Sequence, residues 1–407
     1  MGRQAAGGED GVTGSELTGE LERWREFGRA TDVTAYDGVP IFANEFWTSR
    51  QRAAHSLHEI SYRACFKPQL PRFFISRLTG PGDVVFDPFM GRGTTLLEAA
   101  LLGRRPLGND VNPLSRMLVE PRLAPPAADE VEARLAALAL DDPVEHPEGF
   151  DAFFHVRTLN QICRLRAYLL ERESADALDG VDRWIRMVAV NRLTGHSSGF
   201  FSVYTLPPNQ AASIESQRRI NARRGQTPEY RDVPRLILRK TRSLLRDVKR
   251  QTPEGPCAGF FRQPVGVPFV HDGPPVSLAV TSPPFMDVVN YRQDNWMRCW
   301  FAGVDPDGIG ITQARRLEDW TDLVRSVLLN VATVTKPGGL FAFEVGEIRR
   351  GALLLDRVVA DVARDTPWAP ICIVVNEQAF TKTSNTWGVA NNRGGTNTNR
   401  IVLLRRT

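Results

Sequence analysis

The sequence lacks several features that would have fixed its class at once. No apolar run approaches the ~20 residues needed to cross a bilayer. The opening Met1-Gly-Arg-Gln-Ala-Ala-Gly-Gly-Glu-Asp10 has neither the apolar core of a signal peptide nor the Ser/Thr of a myristoylation signal. A cytoplasmic protein with no membrane partner is therefore expected. Cysteine is scarce: Cys65, Cys163, Cys257, Cys299 and Cys372 lie far apart and form no Cys-x-x-Cys or Cys/His pair. Neither a disulfide framework nor a zinc site is suggested, no metal is expected, and the thiols read as buried. Charge of one sign is not in large excess, since 51 Lys and Arg against 47 Asp and Glu leave +4. Any nucleic-acid partner must then be argued from where the charge sits. Length, by contrast, is ample: a chain of 407 residues exceeds the ~250–300 at which one core stops growing, so a sheet domain with a second lobe is expected.

The most informative stretch is Thr281-Ser282-Pro283-Pro284-Phe285, which follows the apolar run Val276-Ser-Leu-Ala-Val280. A short β-branched run stopped by two prolines reads as a buried strand whose carboxyl end is forced open, because proline has no N–H for a ladder. In open α/β sheets ligands bind at that end. Ser282 Oγ and a neighbouring carbonyl offer two acceptors beside the face of Phe285, an arrangement suited to a planar ring bearing an amino group. The stretch resembles the Asp/Asn/Ser-Pro-Pro-aromatic motif of the DNA amino-methyltransferases, and the Ser-Pro-Pro form is most similar to their cytosine-N4 branch.

A second anchor lies upstream. Asp83 to Asp87, then Pro88-Phe89-Met-Gly91-Arg-Gly93-Thr94-Thr95, reads as strand, glycine turn and helix start, with backbone brought close to a ligand. The glycine spacing differs from Gly-x-Gly-x-x-Gly and argues against NAD. Asp110, at the end of the next strand, has the spacing at which an acidic residue meets a ribose hydroxyl pair, and Asn112 is a further polar candidate. The loop resembles the family's S-adenosylmethionine site, which implies cofactor roles for Asp87, Pro88, Phe89, Gly91, Gly93, Thr94, Asp110 and Asn112. The resemblance also implies that Phe66 and Lys67 close over the methionine end, and that Asp272, ending a third strand at Phe269-Val-His271-Asp272, faces the adenine amine.

Residues 1–20 read as a disordered tail, 21–126 as the cofactor half, 127–264 as an inserted, mainly helical region and 265–407 as the catalytic half. The insertion carries Arg218, Arg219, Arg223, Arg224, Arg239 and Lys240 among other basic residues, with few acids between them. A tract so one-sided is either solvated or meets a polyanion. Family members with this motif order hold their DNA-recognition region in the insertion, so these six residues are expected to contact double-stranded DNA.

The expected fold is α/β: a Rossmann-like class I S-adenosylmethionine-dependent methyltransferase sheet with an inserted, mainly helical domain. The expected activity is methyl transfer to cytosine N4 in DNA within restriction-modification or a related defence, which leaves room for a companion restriction endonuclease. Ser282, Pro283, Pro284 and Phe285 form the expected catalytic set. Adenine-N6 methylation is the nearest alternative. RNA guanine-N2 methylation and a non-catalytic DNA-binding subunit follow. A 5-methylcytosine enzyme is rejected because Pro256-Cys257 has no strand before it.

Overall fold

The computed structural model describes residues 14–48, 54–62, 65–208, 210–254, 256–284, 291–310, 314, 316–348, 353–377 and 398–407. In chain order the elements begin with α1 (Gly14–Glu22), β1 (Asp32–Tyr36), β2 (Val39–Asn44), α2 (Gln69–Leu78), β3 (Val84–Asp87), α3 (Thr94–Leu101), β4 (Arg105–Asn109) and α4 (Pro113–Leu123). Five helices follow: α5 (Ala128–Ala136), α6 (Val156–Ser174), α7 (Gly180–Arg192), α8 (Ile214–Arg224) and α9 (Val233–Leu244). The chain then returns through β5 (Gly259–Phe261), β6 (Val276–Thr281), α10 (Tyr291–Ala302), α11 (Leu317–Val334) and β7 (Thr335–Val345). A small antiparallel pair, β8 (Glu347–Ile348) and β9 (Leu353–Leu354), precedes α12 (Leu355–Arg364), β10 (Trp368–Glu377) and β11 (Thr398–Arg406).

The main sheet has the order β1-β2-β10-β11-β7-β6-β3-β4-β5. Strands β2, β10, β7, β6, β3, β4 and β5 run parallel, while β11 is antiparallel to both its neighbours and β1 to β2. This mostly parallel, helix-covered sheet is the expected Rossmann-like class I methyltransferase fold. Side-chain alternation sorts its strands between two layers. Val85, Leu278, Val280, Leu340 and Ala342 pack towards α1 and α2, whereas Val84, Phe86, Phe341 and Phe343 pack towards α11 and α12. The central strands are buried on both faces, which explains why β3 and β6 read as continuous apolar runs. A separate core in the helical region gathers Trp184, Ile185, Met187 and Val188 of α7 with Met297 and Phe301 of α10.

Four expectations are corrected. The tail is not featureless over its last residues: α1 starts at Gly14, and Leu17 and Leu21 are fully buried. The i,i+4 pair of leucines, not the Gly/Glu-rich composition, decides this segment. The third strand is β5, paired with β4 through Leu107 and Gly259, so Phe269 to Asp272 is not a strand. Sheet structure therefore resumes before residue 265. The cysteines are not uniformly buried, since Cys257 is exposed and Cys65 intermediate. No described helix is long and apolar enough to cross a membrane.

Candidate active site

The carboxyl ends of β3, β4, β6 and β7 meet at one edge of the sheet. The loop after β3 turns on two glycines in the left-handed region, Gly91 at φ +48° and Gly93 at φ +72°. A Cβ on Gly93 would lie 2.3 Å from Val119 Cγ2 on α4, so the loop can approach that helix only without a side chain. At Gly91 the nearest atoms to such a Cβ, from Tyr62 and Cys65, are 3.7 and 3.8 Å away, which lays the segment before α2 over the loop. Thr94 and Thr95 then open α3, both buried.

Hydroxyls stitch this loop to the strand that carries Ser282. Thr281 Oγ1 donates to Asp87 Oδ1 at 2.6 Å, and Thr95 Oγ1 donates to the Val280 carbonyl at 3.2 Å. Asp87 Oδ1 also accepts from Phe89 N at 3.1 Å. Burial pushes the Asp87 carboxyl up to about 7 against the pull of these hydrogen bonds. Asp87 thus fixes the turn and the strand end together. Pro88 is buried, its carbonyl accepting from Asn109 Nδ2 at 3.0 Å, and Phe89 packs partly buried against the sheet core.

At the end of β4, Asp110 Oδ2 accepts from Gly91 N and Oδ1 from Asn112 N, each at 2.9 Å. Burial raises its pKa while these bonds oppose the rise. A carboxylate has about four lone-pair directions, so two backbone donors leave capacity for a vicinal hydroxyl pair. Asn112 is already employed: it caps α4 through Leu114 N at 3.0 Å, and its amide donates to Tyr62 OH at 3.2 Å. A cleft of about 290 Å³ opens beside Asp110, walled by Phe260 and Phe261 of β5, by Arg262 just after it and by Arg183 and Arg186 of α7. Arg186 is buried, and its Nε has no hydrogen-bond partner among the described residues. Glycine cradle, free carboxylate capacity and cleft together fit a nucleoside-bearing cofactor.

Asp272 is not brought to this edge. It is exposed and lies four residues before the amino end of β6, whereas the cleft is at the carboxyl ends. The residue that follows the third strand is Arg262. Phe66 is half-buried against the α1/α2 layer, and Lys67, whose carbonyl accepts from Leu70 N, leads into α2. Desolvation, with Arg92 nearby, lowers the Lys67 pKa.

Ser282 is half-buried and Pro283 buried at the open end of β6. Trp320 Nε1 donates to the Pro284 carbonyl at 3.3 Å, tying the turn to α11. Phe285 lies outside the described residues. Beside the motif sits a group the sequence did not advertise: Glu344 of β7, 6% exposed and accepting from Asn399 Nδ2 at 3.1 Å, its carboxyl pushed up by burial against the influence of Ser282 and Asn399. A second such group is Glu98 of α3, which accepts from His58 Nε2 at 2.7 Å and from Arg72 at 3.1 Å under the glycine turn. Glu98 was visible as a helix residue, but its partners come from a segment with no periodicity. Trp296 and Trp300 pack on Phe150 in the helical core.

The basic residues divide. Arg218, Arg219, Arg223 and Arg224 are all exposed on α8, a helix that buries only Gln217. Arg224 stacks over Tyr204 at 3.8 Å. Arg239 is exposed and donates to the Ser198 carbonyl at 3.3 Å. Lys240 differs: its ammonium is 3.6 Å from Glu59, and burial and nearby Arg192 bring its pKa down to about 8. Arg231 is consumed by the carbonyls of Ser197, Phe200 and Ser202. Among the described residues, no group of three or more His, Cys, Asp or Glu could hold a metal ion.

Residues 22–115, which include the glycine loop and Asp110, match the family model described as DNA methylase. The type II methyltransferase M.MjaII of Methanocaldococcus jannaschii is 36% identical over 74 residues, 18% of this chain and 14% of that protein. The type II methyltransferase M.BsoBI of Geobacillus stearothermophilus is 38% identical over 69 residues, 16% of this chain and 14% of its own length. The matches thus span a small part of these relatives. Among solved structures, the rRNA methyltransferase aviRa from Streptomyces viridochromogenes aligns over 89% of this chain and 94% of its own at a TM-score of 0.32 and 14% identity. So low a score adds nothing to the strand order. The likeness to DNA methylases thus lies in the segment that carries the glycine loop and Asp110.

Proposed function

We propose that this chain is an S-adenosylmethionine-dependent methyltransferase acting on the exocyclic N4 amine of cytosine in double-stranded DNA, in restriction-modification or a related defence. The observation that carries the reading is the Thr281–Asp87 hydrogen bond of 2.6 Å, which couples the Ser-Pro-Pro turn to the glycine cradle. When bound, the cofactor supplies an electrophilic sulfonium methyl group. The residues suited to hold it are Asp87 and the Gly91–Gly93 backbone in the turn, and Asp110 for a hydroxyl pair, with the adjoining cleft for the base.

Cytosine's exocyclic nitrogen is a poor nucleophile because its lone pair is delocalised into the ring. Ser282 Oγ and the Pro283 carbonyl would accept its two hydrogens and favour the pyramidal geometry reached during attack. Trp320 donates to the neighbouring Pro284 carbonyl and ties that part of the turn to α11. The nitrogen becomes acidic once methylated and can lose its proton to water. The target base must leave the helix first, at a cost of a few kcal/mol, and Phe285 is the expected stacking surface. The arginines of α8, exposed and on a helix with almost no buried face, suit phosphate contacts.

Adenine N6 could be held by the same two acceptors. Nucleoside mass spectrometry of DNA from cells expressing the protein separates the readings. N4-methylcytosine is expected; N6-methyladenine would move the chain to the adenine branch, and no methylated amine would reject the enzymatic reading.

A further inference from the structure

A serine in an acceptor role carries an ambiguity that an aspartate does not. A hydroxyl has one hydrogen and two lone pairs, so Ser282 can meet an amine as donor or as acceptor. Only acceptance helps an amine whose own hydrogens must be held. Something has to fix the direction of the hydroxyl hydrogen.

The sheet supplies it. Strands β6 and β7 pair in parallel with Thr281 opposite Phe343, so one step further along each strand sets Ser282 beside Glu344. The Ser282 hydroxyl acts on the Glu344 carboxyl, favouring its ionised form. On its other side Glu344 faces β11, where Ile401 is its backbone partner and Asn399 Nδ2 donates to Oε1 at 3.1 Å. Ionised, Glu344 can only accept, so in any bond between the two the hydrogen is the serine's own. A buried carboxylate is costly to keep, and burial raises the pKa of this one against the pull of Ser282 and Asn399. Among the described residues its polar neighbours are two neutral groups, Asn399 and Ser282, and no cation pairs with it, which is a poor device for stability.

We propose that Glu344 is a positioning residue that takes the Ser282 hydroxyl hydrogen and so leaves the Oγ lone pairs free for the target amine. The inference rests on the amine-methylation reading. Asn399 makes the polarity specific. An amide at 344 would turn its oxygen to the Asn399 donor and its NH2 to Ser282, pushing the hydroxyl hydrogen towards the substrate.

The test is a double-mutant cycle in single-turnover methyl transfer, with cofactor and DNA affinities measured for each variant. Glu344→Gln should slow transfer by roughly 10- to 100-fold, lowering kcat while leaving KM and both affinities unchanged. Glu344→Asp disturbs packing more but keeps the charge, and should retain more rate than Gln. Added to Ser282→Ala, Glu344→Gln should cost nothing further, because no hydroxyl remains to orient. A parent-like rate in Glu344→Gln, or losses that multiply in the double variant, would overturn the assignment while a slow Ser282→Ala still supports the amine-acceptor reading. A parent-like rate in Ser282→Ala would instead remove that reading and this inference with it.

Discussion

The sheet edge and the helical region dispose of their polar groups in opposite ways. At the strand ends, Asp87 and Glu344 are buried and Asp110 half-buried beside the cleft, each accepts from neighbouring backbone, hydroxyl or amide donors, and all three have pKa values raised chiefly by burial. On α8, four arginines stand in solvent on a helix that buries one glutamine. The first arrangement fixes geometry at the expense of stability; the second spends little on folding and keeps its charge available. Groups of the first kind should control cofactor affinity and rate, and those of the second kind DNA affinity and its response to salt.

The largest effect is expected at the cradle. Gly93→Ala forces a Cβ to within 2.3 Å of Val119 at positive φ. It should cost roughly 2–4 kcal/mol in urea unfolding, and calorimetry should find cofactor affinity reduced about 100-fold or more, some 2.7 kcal/mol. Unchanged cofactor affinity would break the assignment of this loop. On the other side of the comparison, replacing Arg218, Arg219, Arg223 and Arg224 by Gln should flatten the log–log salt dependence of DNA binding by about one unit per lost phosphate contact. Cofactor affinity should not change. Lys240→Gln should leave the salt slope alone, because that ammonium is engaged by Glu59; a slope change there would blur the division.

A smaller, pH-dependent effect sharpens the contrast. A carboxyl whose folded pKa lies above its unfolded value binds its proton more tightly when folded, so stability falls as pH rises through the interval between them. For Asp87 that interval runs from 3.8 to about 7. Asp87→Asn should therefore gain stability relative to the parent across this range, as followed by urea unfolding at each pH. A constant difference would mean that Asp87 is not the titrating group.

Much of the sheet edge was legible because its signals are local. β-branched runs ending at Asp87 and Thr281, glycines where φ must be positive, and a double proline each act on their own neighbourhood. The third strand was not, because Gly259–Phe261 is three residues long and shows no alternation. The apolar Phe269 attracted the assignment instead, but it serves as a plug against Phe86 and Phe261. The edge hairpin of β1 and β2 escaped notice for a related reason: β1 is almost wholly exposed and has no buried face to impose a period. Partners distant in sequence were illegible in principle. Composition counts Lys240 as a cation but cannot see Glu59, and an acid inside the apolar run of β7 gives no hint that Ser282 and Asn399 converge on it.

The most direct measurement of the central claim is single-turnover methyl transfer to duplex DNA by Ser282→Ala, with cofactor and DNA affinities determined on the same protein. The account predicts affinities close to the parent's and a rate lower by roughly 5- to 150-fold, the equivalent of one lost hydrogen bond of ~1–3 kcal/mol in the transition state. A full rate of N4-methylcytosine formation in Ser282→Ala would contradict it, because the amine would then be held by something other than the strand end.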